Sequence, residues 1–203
     1  MWKQVAIAIV LAAACSSPGA QVASVRDLPD ELKSVRKGRL SEADITLMGM
    51  RIGREKLQDV LSRLGLAALA PRAEHADSEL CYRSESPLDS TWVVFGSGAM
   101  GGWEELTRFQ VLSSAPANMP CRPTMLVTPS VATDSGIRKG MTVKELRSRF
   151  GAPTEAGRGY VAFSFQQKSD HPARPEFDML SALRCTIRNG RVTSFEVTLI
   201  ESN

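Results

Sequence analysis

The sequence predicts an α+β chain of two tandem repeats, each a short helical segment packed on an antiparallel sheet of about three to four strands. Three observations carry this. A short phrase occurs twice, as Gly49-Met-Arg-Ile-Gly53 and as Gly136-Ile-Arg-Lys-Gly140, the copies 87 residues apart (136 − 49). Each copy is followed by apolar residues at helical spacing, and each of those segments by runs that alternate apolar and polar.

The predicted order starts with an export signal at 1–14. Lys3 supplies a positive start, and Val5 to Ala14 is an apolar run of ten residues. That is too short for a bilayer, which needs about 20, and it fits the apolar region of a signal peptide. Cys15 follows Leu11-Ala-Ala-Ala14, which resembles the bacterial lipobox with the aliphatic residue four places before the cysteine. Lipidation at Cys15 would supply the two acyl chains that stable anchoring needs. Ordinary cleavage after Ala14 or Ala20 is the alternative. Residues 15–44 read as an N-terminal linker with a short helix from Pro29 to Arg36.

The first repeat, 45–112, opens with the stripe Leu57, Val60, Leu61 and Leu64 and ends its helix at Gly65, with Gly53 as the expected cap. Its strands are expected near Leu80 to Ser84, Thr91 to Phe95 and Leu106 to Leu112. Residues 113–124, rich in Pro, Ala and Ser, read as a linker. The second repeat, 125–203, carries a capping box in Thr142-Val-Lys-Glu145, the stripe Val143, Leu146 and Phe150, and a helix stop at Gly151. Its strands alternate around Val161, Phe163 and Phe165, around Leu183, Cys185 and Ile187, and around Phe195, Val197 and Leu199. Asn189-Gly190 is a hairpin signal. A two-residue turn there would set Leu183 opposite Glu196. A three-residue bulged loop, 188–190 with Gly190 left-handed, pairs Leu183 with Phe195 instead and is the expected form.

Composition and cysteines narrow the class. A net charge of +3 with no run of five or six basic residues argues against nucleic acid. In an oxidising compartment, Cys81 and Cys121 at element edges are the expected disulfide, with Cys121–Cys185 as its rival. Cys185 reads as a buried small hydrophobe on its strand.

The chain carries no complete catalytic pattern. Gly96-Ser-Gly98-Ala-Met-Gly101 fits a dinucleotide fingerprint but is followed by strand-like sequence, so it reads as a glycine-rich hairpin loop. His75 and His171 stand in polar, loop-like surroundings, and a zinc site wants three or four converging ligands. No catalytic residue, cofactor or metal is expected. Trp92, Trp103 and Tyr160 are the candidate partner contacts, because such aromatics anchor interfaces.

The stretch from Gly140-Met-Thr-Val-Lys-Glu-Leu to Phe150-Gly151-Ala-Pro153 resembles the signature of the small outer-membrane-assembly lipoproteins (SmpA/OmlA, BamE-like). The tandem arrangement is also similar to that of the β-lactamase inhibitory proteins. The resemblance covers about 60 residues of the second half and a degraded copy in the first. It implies helical segments packed on an antiparallel sheet, and a non-enzymatic role by protein contact. The expectation is an exported bacterial envelope protein, periplasmic or anchored in the outer membrane as a lipoprotein. It would act on a protein partner, with the membrane met through the N-terminal anchor. The alternatives are a secreted inhibitor of a hydrolase and an envelope hydrolase whose site the sequence does not reveal.

Overall fold

Long alternating strands dominate the chain. The computed structural model describes residues 35–67, 70–72, 77–86, 88–98, 104–168 and 177–202, all within one compact unit, Ser34–Asn203. In chain order these form β1 (Arg36–Lys37), β2 (Thr46–Leu47), β3 (Met50–Arg51), α1 (Leu57–Leu64), β4 (Ala70–Arg72), β5 (Asp77–Ser84) and β6 (Trp92–Ser97). There follow β7 (Leu106–Leu112), β8 (Cys121–Thr124), α2 (Val143–Phe150), β9 (Glu155–Gly157), β10 (Tyr160–Lys168), β11 (Asp178–Arg188) and β12 (Arg191–Ser202).

Ten strands make one sheet in the order β1-β10-β11-β12-β7-β6-β5-β4, with β8 also on β5 and β9 also on β10. The pairs β1–β10 and β5–β8 are parallel and the rest antiparallel, so the sheet is mixed. This overturns the expected α+β chain of two helix-on-sheet repeats. The described residues are mostly β, with two eight-residue helices, one continuous ten-stranded sheet and the short β2–β3 pair. The reason lies at β7 and β12, where Phe195 pairs with Val111 and Val197 with Phe109. Pairing satisfies two rows of backbone groups that open edges would leave to water.

Both helices pack on the same face. Leu57, Val60 and Leu64 of α1 and Leu146 of α2 join one apolar core with Tyr82, Phe95, Phe109, Phe163, Leu183 and Phe195. The ring of Phe150 lies 5.3 Å from that of Phe163. The start of α2 is as its sequence predicts: the Thr142 hydroxyl accepts from Glu145 N at 3.2 Å, and Glu145 accepts from Thr142 N at 2.6 Å. The start of α1 differs, because its cap is Lys56, not Gly53. Asp59 accepts from Lys56 N at 2.8 Å, while Gly53 lies in the preceding turn and donates to Leu106 O at 2.8 Å.

The repeated glycine phrase is thus a local device. Gly53 and Gly140 have φ of +73° and +83°, in the left-handed region that glycine enters without a Cβ clash. Each turns the chain into its helix and ties it to a strand, Gly53 to β7 and Gly140 to Val192 of β12.

Two further expectations change. The β11–β12 turn holds two residues, with Asn189 and Gly190 both at positive φ, as a type I′ turn requires. The bulge lies in β12, where Thr186 pairs with Ser194 and Ile187 with Val192, leaving Thr193 extra. Leu183 therefore meets Val197, and Cys185 meets Phe195. The bulge brings the apolar rows onto one face, which was the work expected of a longer turn. The stretch 113–124 is a linker only in part, because Cys121–Thr124 is a strand on the edge of β5. Arg36 lies in β1, and the rest of the helix expected from Pro29 lies outside the described residues.

Candidate interaction face

Strand residues alternate between faces, so register identifies what lies on the face turned away from the helices. One row there runs Ala162, Arg184, Glu196, Gln110, Val94, Cys81 and Cys121. A neighbouring row runs Ser164, Ala182, Thr198, Arg108, Gly96 and Glu79. Such cross-strand pairs touch, so each row acts as a unit.

The rows are polar in their middle. Gln110 Nε2 donates to Glu196 Oε1 at 3.1 Å, and Arg108 forms an ion pair with Glu79. Gly96 makes room for this pair, since a Cβ on it would sit 2.5 Å from Arg108 Nε. Burial pushes the Glu196 carboxyl above the usual carboxylate range, against the pull of the Gln110 amide and the Arg108 and Arg184 guanidiniums.

At one flank the Arg184 guanidinium lies over the Tyr160 ring, 4.6 Å from its centroid, and the Tyr160 hydroxyl bonds to Glu155. At the other flank Cys81 and Cys121 form a disulfide with Cα atoms 4.5 Å apart. Trp92 is half-buried beside it, in a small cluster with Val94, Leu112 and Met119. The 113–120 segment, leaving β7 for β8, brings Met119 onto this face.

Of the expected contact residues, Trp92 and Tyr160 therefore lie on the same face near its two flanks, both half-buried. Trp103 lies outside the described residues, as do Cys15, His75 and His171. Cys185 is a free, buried thiol on the core face, its pKa pushed up to about 12 by burial. Sequence reading missed Arg184, Glu196, Gln110, Arg108 and Glu79. Their alternation with the apolar core positions was visible, but which of them meet depends on the β7–β12 pairing.

Two other polar groupings have structural roles. Lys139 Nζ donates to Thr91 Oγ1 at 2.6 Å, and Thr91 donates to Asp89 at 2.5 Å. The trio looks like a nucleophile relay, but the Thr91 side chain is wholly buried, so the contacts tie two loops together. A groove of ≈ 490 Å³ is lined by Gly49, Arg54, Glu55, Asp59 and Arg63. There Glu55 accepts from Arg51 N at 2.7 Å, Asp59 caps α1, and Arg63 donates to Met48 O at 3.1 Å. Its charged groups hold the turn before α1 in place.

Among the described residues no helix is long and apolar enough to cross a membrane. No protein-family model matches the chain, and neither the curated proteins nor the solved structures compared with it give a match.

Proposed function

We propose that this chain is a non-enzymatic, exported envelope protein that works by protein–protein contact, through the sheet face turned away from its helices. The observation that carries the reading is the pair of half-buried side chains Arg184 and Gln110, set on either side of the buried Glu196, with Tyr160 and Trp92 at the flanks. Arginine and large aromatics are enriched where proteins meet, and charges fixed by cross-strand neighbours give a partner a defined pattern to match. The Cys81–Cys121 disulfide agrees with a leader that delivers the chain to an oxidising compartment. Lipidation at Cys15 would hold it on the envelope.

The test is site-specific photo-crosslinking in the producing cell. A photoreactive residue at Tyr160 or Gln110 should give a discrete adduct with one protein. The same residue at Lys144, an exposed position on α2, should not. Identical adducts at all three sites, or none at Tyr160 and Gln110, would overturn the reading. Labelled palmitate with a Cys15→Ala control tests the anchor separately.

A further inference from the structure

One end of the molecule gathers charge that the sequence scatters. Arg188 and Arg191 pair directly across the Asn189-Gly190 turn, a like-charge pairing that costs stability wherever nothing outside offsets it. Beside them, Gly159 O accepts from Ile187 N at 2.7 Å, which brings Arg158 next to this turn. Arg191 Nη1 donates to Gly140 O at 2.8 Å, and that places Arg138 on the same end. All four guanidiniums are exposed. The nearby Glu145 carboxylate, held in the α2 capping box, also faces Arg138 and Arg191 and offsets part of their charge, leaving Arg158 and Arg188 beside it.

The same end carries apolar side chains in water. Lys139 Nζ donates to Ser90 O at 3.0 Å and so joins the arginine cluster to the loop between β5 and β6. Leu88 on that loop is 95% exposed. Thr124 pairs with Ser84 at the end of β5, and the two residues that follow it, Met125 and Leu126, are 79% and 54% exposed. Three of the four exposed large hydrophobics among the described residues thus stand at the end that holds the arginines. Glu85 is an exposed acid there as well.

We infer that this end docks on an anionic lipid surface. Guanidiniums present forked donors to phosphate oxygens, and each basic residue near an anionic bilayer adds attraction. Leu88, Met125 and Leu126 stand on loop tips, the geometry for entering the headgroup layer. A purely electrostatic partner such as nucleic acid or an acidic protein would leave these apolar tips in water. The docking is separate from the acyl anchor and from the sheet face proposed as the protein contact.

The experiment is co-sedimentation of residues 16–203, which lack both the apolar leader and Cys15, so that neither the leader nor an acyl chain contributes. The vesicles are phosphatidylcholine with or without phosphatidylserine. Binding should require phosphatidylserine and weaken steeply with salt. The variant Arg188→Glu/Arg191→Glu should lower affinity at least about 20-fold. Because Arg191 also touches the α2 turn, Arg158→Glu serves as a second variant outside it, and Leu88→Ser should weaken binding several-fold. Each variant is melted alongside the parent to show that it folds. Equal binding to both vesicle types, no binding to either, or variants that fold and bind like the parent would overturn the inference. Retention on an acidic peptide without vesicle binding would overturn it in favour of an acidic protein partner.

Discussion

At the start of α1, Gly53 donates to Leu106 O at 2.8 Å and Leu106 donates back to Glu55 O at 2.9 Å. At the start of α2, the same exchange runs from Gly140 to Val192 O and from Val192 to Met141 O, both at 2.8 Å. The backbone device is shared, but its surroundings are not. A Cβ on Gly53 would lie 2.8 Å from Leu199 Cδ2, whereas one on Gly140 meets nothing within 4 Å. The α2 start has a full capping box, and the α1 start has only the carboxylate half of one. Across the sheet from the helices the first half of the chain is also clasped covalently by Cys81–Cys121, while Cys185 on the core face of β11 remains a thiol. A motif can therefore repeat as backbone geometry while packing and side-chain chemistry settle how much each copy contributes.

The largest asymmetry to test is the disulfide. It closes a separation of 40 residues, so its loss should cost about 4 kcal/mol on the chain-entropy account. Urea melts of the oxidised chain and of Cys81→Ala/Cys121→Ala would show this. A shift under about 1 kcal/mol would mean that β8 is held by its ladder and not by the bond.

Next come the two glycines. Gly140→Ala should cost about 1–2 kcal/mol, from the left-handed backbone alone. Gly53→Ala should cost about 1 kcal/mol more, because the new methyl must displace Leu199. Equal losses would show that β12 yields easily at Leu199.

Smaller effects separate the caps. Thr142→Ala should cost about 1 kcal/mol, and Lys56→Ala within about 0.5 kcal/mol, since the Lys56 side chain is exposed and caps nothing. The Glu145 carboxyl is held below the usual range, first by the Thr142 backbone amide and then by its hydroxyl. The folded chain therefore binds this proton less readily than the unfolded one. The cap's contribution is present above the unfolded pKa and fades as pH falls through the folded one. Glu145→Gln should remove that part of the acid limb of the stability profile. An unchanged limb would place the effect at another carboxylate.

What could be read from the sequence follows physical range. The capping box Thr142–Glu145, the stops at Gly65 and Gly151 and the alternation of β7, β10 and β11 are local, and the structure keeps them. The β7–β12 pairing is a contact across some 86 residues, as between Gln110 and Glu196, and no local pattern encodes it. That one pairing turned two expected units into one sheet and assembled the candidate face. The bulge at Thr193 was hidden because a turn and a bulge can each restore the apolar rows. Strand β8 was hidden because its four residues include Pro123, which an edge strand tolerates. The arginine cluster was hidden because Arg138 and Arg158 lie 50 and 30 residues before Arg188 in sequence (188 − 138 and 188 − 158).

The central claim is that the two helix starts hang on one sheet that folds as a unit across β7 and β12. Native-state hydrogen exchange tests it directly. The account predicts that amides of β5, β6 and β7 share one limiting opening free energy with those of β10, β11 and β12, and that all of them exchange by global unfolding. Earlier exchange of one set, with the other still protected at its full value, would contradict it.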